Sequence, residues 1–447
     1  MATALIILAA GQGTRMESDR PKVLHELGSA PLLHHAMRAG RALDPEVTVV
    51  VTGHGGEEVA AAARAADDAA LIAVQADRLG TAHAVLQAAA ALEGFSGDAI
   101  VLYGDTPLIR PGTLEAMIAA RAAHDVVVLG FGACDPGRYG RLVVEGGDLL
   151  RIVEYKDATP EERAIKLCNS GVLCADAALL LRLCAAVGNA NAAGEFYLTD
   201  IVALARAEGL SAGVVICDEE ETLGINTRAE LVRAEAVFQS RARAEALESG
   251  VVMALPETVV FSLDTMVGRD AVVEPYVVFA PGVTVESGAR IRAFSHLEGA
   301  HVSEGAIVGP YARLRPGAEL AEGVHVGNFV EVKNATLGPG VKANHLTYLG
   351  DASVGEGTNI GAGTITCNYD GVFKHRTEIG AHVFVGSDTM LVAPVRLGDG
   401  AMTATGSVVT TDVPAGALAV ARVRQEVKPG FATRFFARLR AAKASSR

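Results

Sequence analysis

The chain has 447 residues and a formal net charge of −13, half of its residues are hydrophobic, and it contains no Trp. This length predicts two or three domains, and the acidic charge argues against nucleic-acid partners, which require a basic surface. The six cysteines show no C-x-x-C spacing, so we expect free thiols in a reducing compartment. No stretch resembles a targeting or membrane-spanning segment, which predicts a soluble, cytoplasmic protein without membrane insertion.

Residues 1–226 alternate apolar strands with Ala-rich helical stretches and are interpreted as one α/β domain. The predicted strands are Leu5–Leu8, Val47–Val51, Leu71–Val74, Ile100–Leu102 and Val126–Leu129. The predicted helices are Leu32–Leu43, Glu57–Ala66, Thr81–Leu92 and Pro111–His124. This alternation indicates a mostly parallel, Rossmann-like sheet covered on both faces, with ligands bound at the carboxyl ends of its strands.

The loop after the first strand is rich in glycine and is followed by basic residues. It reads Leu8-Ala9-Ala10-Gly11-Gln12-Gly13-Thr14-Arg15-Met16, and Pro21-Lys22 follows. Its glycines would let backbone amides close around phosphates, and Arg15 and Lys22 add positive charge. On local pattern alone, a structural turn is an equal alternative.

A second strand-end motif, Tyr103-Gly104-Asp105, follows the predicted strand Ile100–Leu102. Parallel strands end at one edge of a sheet, so the Asp105 carboxylate would lie near the glycine-rich loop and is suited to hold Mg²⁺. A helix cap or a turn is the alternative role for Asp105.

Residues 227–249 are predicted to form a single linker helix. They are rich in Ala, Glu and Arg, and Gly250 is a plausible C-terminal stop. A narrow apolar stripe follows Leu231, Ala234, Phe238 and Ala242, which favours a rigid arm between two domains.

Residues 250–447 are interpreted as a second domain, which carries an apolar position every six residues from about Val251 to Val413. The series runs from Val267 through Val273, Phe279, Val285 and Ile291, and it resumes at Val302 after a slip of one residue. Neither a helix, with a period of about 3.6, nor a simple strand, with a period of 2, produces this spacing. It predicts a hexapeptide-repeat parallel β-helix, in which each coil buries its faces by stacking on the next.

Two departures from this period mark candidate functional positions. The first is His345, an imidazole suited to take a proton from an amine. Arg315, Lys333 and Asp351 are spaced by eighteen, which predicts that they stack on one edge, where the cations would attract an anionic substrate. Glu331 is a candidate to orient His345. The second departure is the segment Cys367–Arg376, which interrupts the repeat and is predicted to leave the coil as a loop. A structural role for His345 and a pure scaffold role for the β-helix are the alternatives.

The motif Leu8-Ala9-Ala10-Gly11 with Gly13-Thr14-Arg15-Met16 and Pro21-Lys22 resembles the signature of sugar-nucleotide pyrophosphorylases. With Tyr139-Gly140-Arg141, Glu154-Tyr155-Lys156-Asp157, Asn169-Ser170-Gly171 and the hexapeptide half, nearly the full chain resembles the bifunctional GlmU family. The resemblance implies two consecutive reactions that supply cell-wall and lipopolysaccharide precursors. Acetyl-CoA and glucosamine 1-phosphate give N-acetylglucosamine 1-phosphate; UTP then converts this product to UDP-N-acetylglucosamine and pyrophosphate.

The resemblance also implies roles for individual residues of the first half. Arg15 and Lys22 would be catalytic, and Asp105 and Asn226 would bind Mg²⁺. The nucleotide and its sugar phosphate would be held by Leu8, Ala9, Ala10, Gly11, Lys22, Gln75, Gly80, Thr81, Tyr103, Gly104, Asp105, Gly140, Glu154, Asn169 and Asn226.

For the second half, the resemblance implies a left-handed β-helix that forms a homotrimer with acetyl-CoA sites between subunits. His345 would be the general base. The sugar phosphate would be bound by Arg315, Lys333, Tyr348 and Asn359, and acetyl-CoA by Ala362, Asn368, Tyr369, Ser387, Thr405 and Arg422. Position 405 departs from the family pattern, because Thr405 stands where Ala is usual, although a backbone contact there would tolerate the change.

The tail after Pro429 is basic, with Arg434, Arg438, Arg440, Lys443 and Arg447. We expect a solvated or frayed terminus, and a tail folded over the CoA phosphates is the alternative. Two other functions compete with a pair of active sites: a nucleotidyltransferase whose β-helix only assembles the oligomer, and a non-catalytic assembly subunit. Arg15, Lys22, Asp105 and Asn226 together argue against the second of these.

Overall fold

A computed structural model describes residues 2–11, 13–53 and 55–445 of the chain. Contacts between Cα atoms divide it into two compact units. The first comprises Met1–Ala246 together with Val260–Thr265, and the second comprises Leu247–Val259 with Met266–Arg447.

The first unit is built on one sheet with the strand order β11-β7-β10-β6-β1-β4-β5 and an attached β8–β9 hairpin. Its strands are β1 (Thr3–Ala9), β2 (Glu26–Leu27), β3 (Ala30–Pro31), β4 (Val47–Thr52), β5 (Leu71–Val74), β6 (Asp98–Tyr103), β7 (Val126–Gly132), β8 (Arg141–Glu145), β9 (Asp148–Val153), β10 (Leu167–Asp176) and β11 (Ala212–Cys217). Its helices are α1 (Leu32–Arg41), α2 (Gly56–Ala66), α3 (Thr81–Leu86), α4 (Pro111–Ala120), α5 (Pro160–Arg163), α6 (Ala177–Ala186), α7 (Asp200–Ala207) and α8 (Arg228–Glu248).

The central strand β1 explains why the sheet is buried on both faces. It pairs in parallel with β4 and β6, and all seven of its residues are buried. Alternate residues enter two separate cores, with Ile6 in one and Leu5 and Ile7 in the other. A continuous apolar run is the expected sequence of such a strand. All five predicted strands are confirmed, but β10 runs antiparallel to β6 and β7, a direction that the alternation of elements did not reveal.

Helix α8 covers the predicted linker except for its first and last residues, Thr227 and Ser249, and packs within the first unit. Ala234 is fully buried in a cluster with Met16, Leu27 and Ile225, and Phe238 packs against that cluster. The Gln239 amide donates to the Phe261 carbonyl and accepts from the Phe261 amide, at 2.7 and 2.9 Å. This reciprocal pair ties Val260–Thr265 to the helix.

The second unit is the predicted left-handed parallel β-helix, made of very short strands stacked from coil to coil. The strands are β12 (Val252–Met253), β13 (Met266–Val267), β14 (Val272–Val273), β15 (Val278–Phe279), β16 (Thr284–Val285), β17 (Arg290–Ile291), β18 (His296–Leu297), β19 (Ala300–Val302), β20 (Ile307–Val308), β21 (Arg313–Leu314), β22 (Ala318–Leu320), β23 (His325–Asn328), β24 (Glu331–Leu337), β25 (Lys342–His345), β26 (Tyr348–Val354), β27 (Asn359–Ile360), β28 (Ile365–Cys367), β29 (Thr377–Ile379), β30 (Phe384–Val385), β31 (Met390–Val392), β32 (Val395–Leu397), β33 (Met402–Thr403), β34 (Val408–Val409) and β35 (Leu418–Ala419).

The apolar positions of the six-residue series line the interior of this β-helix. Val273, Phe279, Val285 and Ile291 are each at most 1% exposed and sit at the second residue of a short strand. Tyr276, Phe294, Tyr311 and Phe329 share one corner with positive φ. Their rings stack on the outside with centroids 4.9 to 5.3 Å apart.

The basic tail forms helix α9 (Phe431–Ser445), whose residues are exposed throughout. The exposure of this helix agrees with the expectation of a solvated or frayed terminus, and its helical order is a feature that the sequence analysis did not predict. Arg447 lies outside the described residues. Among the residues that the structure describes, no helix has both the length and the apolar character needed to cross a bilayer.

Candidate functional site

Three sequence motifs of the first unit meet at the ammonium group of Lys22. Lys22 Nζ donates to Asp105 Oδ2 and, at 3.0 Å, to Asn226 Oδ1. Arg15 Nη2 donates to the same Asn226 oxygen at 2.9 Å. The loop after β1, the loop after β6 and the segment before α8 thereby place two cations and two oxygen ligands at one point.

Gly13 allows Lys22 to reach this point. It has a φ of +65°, and a Cβ at this position would lie 2.5 Å from Lys22 Cβ. Any side chain there would collide with the lysine stem and would also strain the backbone. Gln12, the other central residue of the predicted phosphate loop, lies outside the described residues.

The Lys22 side chain forms one wall of a cleft of about 280 Å³ at the carboxyl ends of β1 and β6. Nine of the predicted nucleotide-binding residues line it: Leu8, Ala10, Gly11, Lys22, Gln75, Gly80, Thr81, Tyr103 and Asp105. Ala9 and Gly104 are buried beside them in the chain. Four further lining residues were not predicted, namely Val23, Arg78, Ala84 and Glu195. They belong to no recognisable motif.

Gln75 is buried in the lining of this cleft and is held by two hydrogen bonds from its amide nitrogen. Nε2 donates to the Gly80 carbonyl at 3.0 Å and lies 3.1 Å from His83 Nδ1. Thr81 Oγ1 accepts from the Leu198 amide at 2.9 Å, which fixes the N-terminus of α3. The Gln75 amide group is therefore oriented before any ligand binds.

Gly140, Glu154 and Asn169, predicted to contact a sugar, lie together. A Cβ on Gly140 would lie 3.4 Å from Glu154 Oε1 and 3.5 Å from Asn169 Cβ, which places all three residues within van der Waals reach of one another. Burial raises the pKa of Glu154, and the carboxylates of Asp200 and Asp157 raise it further, whereas a hydrogen bond from Thr199 opposes them.

Tyr103 connects this group with the cleft. Burial raises the pKa of its phenol, as do the nearby charges of Asp105 and then Glu154, whereas its hydrogen bond with Thr81 acts the other way. Tyr103 is thus close to members of both predicted groups, with Thr81 and Asp105 from the nucleotide set and Glu154 from the sugar set.

Asp105 and Asn226 fit the chemistry of a Mg²⁺ site. A carboxylate and an amide oxygen are hard ligands, and Mg²⁺ commonly takes one or two carboxylates and completes its shell with water and substrate phosphates. Both oxygens converge on one cation, Lys22 Nζ, so their geometry suits a shared positive charge. Among the residues described, no cluster of three or more His, Cys, Asp or Glu side chains could hold a metal alone.

On the second unit, Arg315 and Lys333 are neighbours on adjacent coils, because Leu314 pairs with Val332. The prediction that Asp351 continues this column is wrong. The next coil is one residue shorter, so Lys333 pairs with Gly350 and Asp351 lies beside Asn334 instead. The six-residue period did not show this shortening.

Asp351 joins the coil to the predicted loop. Asp351 is 7% exposed, and its carboxylate accepts from Asn334 Nδ2 at 2.6 Å and from Asn368 Nδ2. Burial alone would raise the pKa of Asp351, but the two amide hydrogen bonds lower it below its ordinary value. Asn368 Nδ2 also lies 3.5 Å from the Tyr348 hydroxyl.

The segment Cys367–Arg376 leaves the coil as predicted. Asp370 accepts the backbone amides of Val372 and Phe373 and contacts His375 Nε2 at 2.7 Å. These bonds, that of His375 first, lower the pKa of Asp370 to about 2. The Tyr369 and Phe373 side chains are 61% and 67% exposed, so the loop presents two aromatic rings to its surroundings.

His345 ends β25, and its Nδ1 lies 2.8 Å from Asn328 Oδ1. Glu331, which was a candidate to orient His345, instead contacts Arg315 at 2.8 Å. This bond raises the pKa of Arg315. The imidazole itself is exposed.

The predicted acetyl-CoA residues continue from His345 along one edge. Ala343, Ile360, Val385 and Thr403 are paired across β25, β27, β30 and β33. Two residues further on each coil lie His345, Ala362, Ser387 and Thr405. Arg422 Nη1 donates to the Thr405 carbonyl at 3.0 Å. The backbone of Thr405 is therefore accessible to a hydrogen-bond donor, as the expected backbone contact requires.

Asn359 is the one predicted sugar-phosphate residue that lies apart from the others within a single chain. It pairs with Lys342 and Phe384 in the sheet that contains β25 and β27. Lys333 and Tyr348 belong to the sheet of β24 and β26, and Arg315 directly follows β21 of that same sheet.

Known proteins match this chain over both of its units. A model of the MobA-like NTP transferase domain matches residues 5–166. The bifunctional protein GlmU of Cereibacter sphaeroides (strain ATCC 17025) is 71% identical over 444 residues, which cover 99% of this chain and 98% of that relative. The bifunctional proteins GlmU of Jannaschia sp. (strain CCS1) and Paracoccus denitrificans are each 66% identical and cover 98% of this chain, and 97% and 98% of their own lengths. The chain therefore belongs to the bifunctional GlmU family, as its sequence motifs indicated.

Proposed function

We propose that the two activities of this bifunctional enzyme reside at the two sites described above, one on each unit. The first unit transfers uridylate from UTP to N-acetylglucosamine 1-phosphate, and the second acetylates glucosamine 1-phosphate with acetyl-CoA. The observation that carries the first assignment is the junction of Lys22, Asp105, Asn226 and Arg15, because it draws three separate segments to one point.

In the first reaction, a phosphate oxygen of the sugar phosphate attacks the α-phosphorus of UTP. A new P–O bond forms, the bond to the bridging β-phosphate oxygen breaks, and pyrophosphate leaves with both electrons. The nucleophile is already an anion, so the chain needs to position the reactants and neutralise charge rather than remove a proton.

Arg15 and Lys22 are suited to neutralise the phosphates, and Asp105 and Asn226 would hold Mg²⁺ between them. When bound, Mg²⁺ would withdraw charge from the phosphate oxygens. Gln75, Gly80 and Thr81 are proposed to bind the uridine, and Gly140, Glu154 and Asn169 the sugar. The hydrogen bond of Tyr103 with Thr81 and its electrostatic coupling to Glu154 support adjacent positions for the two groups.

In the second reaction, the amine nitrogen attacks the thioester carbonyl of acetyl-CoA. The C–N bond forms, the C–S bond breaks, and the sulfur leaves and takes up a proton as the thiol. His345 is proposed to accept the proton that the amine loses. Arg315, Lys333 and Tyr348 would bind the sugar phosphate, and Asn368, Tyr369, Ala362, Ser387, Thr405 and Arg422 would bind acetyl-CoA.

We also propose a homotrimer, a cytoplasmic location, and domain boundaries at residues 1–226, 227–249 and 250–447. The separation of Asn359 from Arg315 and Lys333 within one chain supports a site completed by a second copy. The six free cysteines agree with a reducing compartment.

Thiol release from acetyl-CoA and pyrophosphate release from UTP test the two assignments separately. Asp105→Ala is expected to lose pyrophosphate release and keep thiol release, and His345→Ala is expected to do the reverse. Pyrophosphate release retained by Asp105→Ala would contradict the metal assignment. A wild-type protein that releases pyrophosphate but no thiol would leave the β-helix as an assembly scaffold.

A further inference from the structure

Asn328 contacts His345 from the preceding coil. The two residues close β23 and β25 and are in register across this parallel pair. The residues that follow them, Phe329 and Leu346, have φ values of 57° and 48°, and the Leu346 amide donates to the Asn328 carbonyl at 3.1 Å. Both side chains therefore leave equivalent corners of stacked coils, and the stacking itself sets their separation.

The hydrogen bond fixes which imidazole nitrogen carries a proton. Asn328 Oδ1 lies 2.8 Å from His345 Nδ1, and an amide oxygen can only accept. Nδ1 must then be the donor, which leaves the lone pair of a neutral imidazole on Nε2. Thr347 Oγ1 donates to the His345 carbonyl at 2.8 Å and restrains the backbone at the same corner.

We propose that Asn328 is a positioning residue for acetyl transfer: it keeps the His345 proton on Nδ1 and thereby presents Nε2 to the amine of the sugar substrate. The inference deepens the proposed function of His345 and rests on it. As the C–N bond forms and the C–S bond breaks, the amine proton passes to Nε2, and the Nδ1–H bond to Asn328 holds the ring in place throughout.

The carboxylate that the sequence suggested for this role is engaged elsewhere. Glu331 Oε1 lies 2.8 Å from Arg315 Nη1, and Oε2 lies 4.0 Å from Arg313 Nη1. In the sheet, Glu331 pairs with Arg313 and Tyr348 rather than with His345.

The Asn328 amide acts on His345 differently from the way in which a carboxylate would. A carboxylate at Nδ1 would stabilise the imidazolium and hold the proton that the base must release, whereas the Asn328 amide orients the ring without adding charge. His345 is coupled electrostatically to His325, whose other charged neighbours are Arg292 and Lys342. These groups are all basic, so none of them replaces a carboxylate.

Two substitutions in the full-length protein test the proposal. Asn328→Ala removes the acceptor, and we expect kcat for thiol release to fall about 10- to 100-fold while KM for both substrates stays within about twofold. Asn328→Asp keeps an acceptor of the same shape, so kcat should exceed that of Asn328→Ala about tenfold or more. The acid limb of its pH–rate profile should move to higher pH, because the added carboxylate favours the protonated ring.

Pyrophosphate release and the unfolding temperature of each variant report on folding, and Glu319→Ala, at an exposed position on β22, is the matched control. Wild-type kcat in Asn328→Ala, or an unmoved pH profile in Asn328→Asp, would overturn the inference, as would an equal loss of kcat in both variants. If His345→Ala keeps thiol release, the proposed function of His345 itself is wrong. If His345→Ala is inactive while Asn328→Ala is not, only the role of Asn328 is wrong.

Discussion

Lys22 Nζ donates to the carboxylate of Asp105, and the side chain of Lys22 is 11% exposed. The same nitrogen lies 3.0 Å from Asn226 Oδ1. The ammonium group thus occupies the position in which both oxygens would coordinate a metal ion. Lys22 and Mg²⁺ would therefore compete for these two ligands.

This competition gives a prediction for Lys22→Met, which removes the charge but keeps an unbranched side chain. Uridylyl transfer should fall about 10²-fold or more, because a charge that neutralises the phosphates is lost. Mg²⁺ should nevertheless bind the free protein more tightly, because its ligands no longer face an ammonium group. Calorimetric titration with Mg²⁺ in the absence of substrates measures this.

Arg20→Met is the matched control, because Arg20 is a cation of the same loop that pairs with Glu26 on the surface. It should change neither quantity by more than about twofold. Weaker or unchanged Mg²⁺ binding in Lys22→Met would show that the lysine does not compete with the metal.

The raised pKa of Glu154 predicts a pH-dependent effect on stability. A carboxyl group whose pKa is raised in the folded state destabilises the fold once the pH exceeds its ordinary value of about 4.5. Glu154→Gln should therefore raise the unfolding temperature at pH 7 to 8, and the gain should vanish as the pH falls below about 4.5.

Thermal unfolding of Glu154→Gln and wild type across this pH range checks the prediction, with Glu145→Gln as a control on the exposed end of β8. A stability gain that persists at low pH would mean that ionisation of Glu154 is not its origin. If Glu154 also contacts the sugar, KM for N-acetylglucosamine 1-phosphate should rise in the same variant while thiol release stays unchanged.

Asp351 supports the predicted acetyl-CoA loop, and Asp351→Ala should release it. The substitution leaves the amides of Asn334 and Asn368 without their acceptor, which costs about 1 to 3 kcal/mol. We expect KM for acetyl-CoA to rise several-fold, because Asn368 loses its fixed orientation, and pyrophosphate release to stay unchanged. Steady-state kinetics at varied acetyl-CoA tests this; an unchanged KM would remove Asn368 from the binding site.

The chain order of strands and helices was largely predictable, and the physical reason is hydrophobic periodicity. Strand β1 reads as a continuous apolar run because both of its faces are buried, and the six-residue series reads as a β-helix because one side chain per face points inward. The antiparallel course of β10 was not predictable, because strand direction depends on the connection and not on the strand's own residues.

The residues of the candidate sites were likewise only partly predictable from the sequence. Asp105 and Asn226 are far apart in the chain, and only their order within known motifs identified them before the structure placed both at Lys22. Asn328 was missed because an Asn in a repeat carries no signal by itself, and its meaning comes from the register that puts it beside His345. The displacement of Asp351 from the Lys333 column has the same origin, a coil one residue shorter than the period suggests.

The central claim is that one chain carries two separate active sites that act in sequence. The most direct test supplies acetyl-CoA, glucosamine 1-phosphate, UTP and Mg²⁺ together and follows thiol and pyrophosphate in wild type, His345→Ala, Asp105→Ala and an equal mixture of the two variants. We predict that wild type releases both products, His345→Ala neither, Asp105→Ala only thiol, and the mixture both again. Pyrophosphate from His345→Ala alone, without added N-acetylglucosamine 1-phosphate, or no thiol from wild type, would contradict the claim.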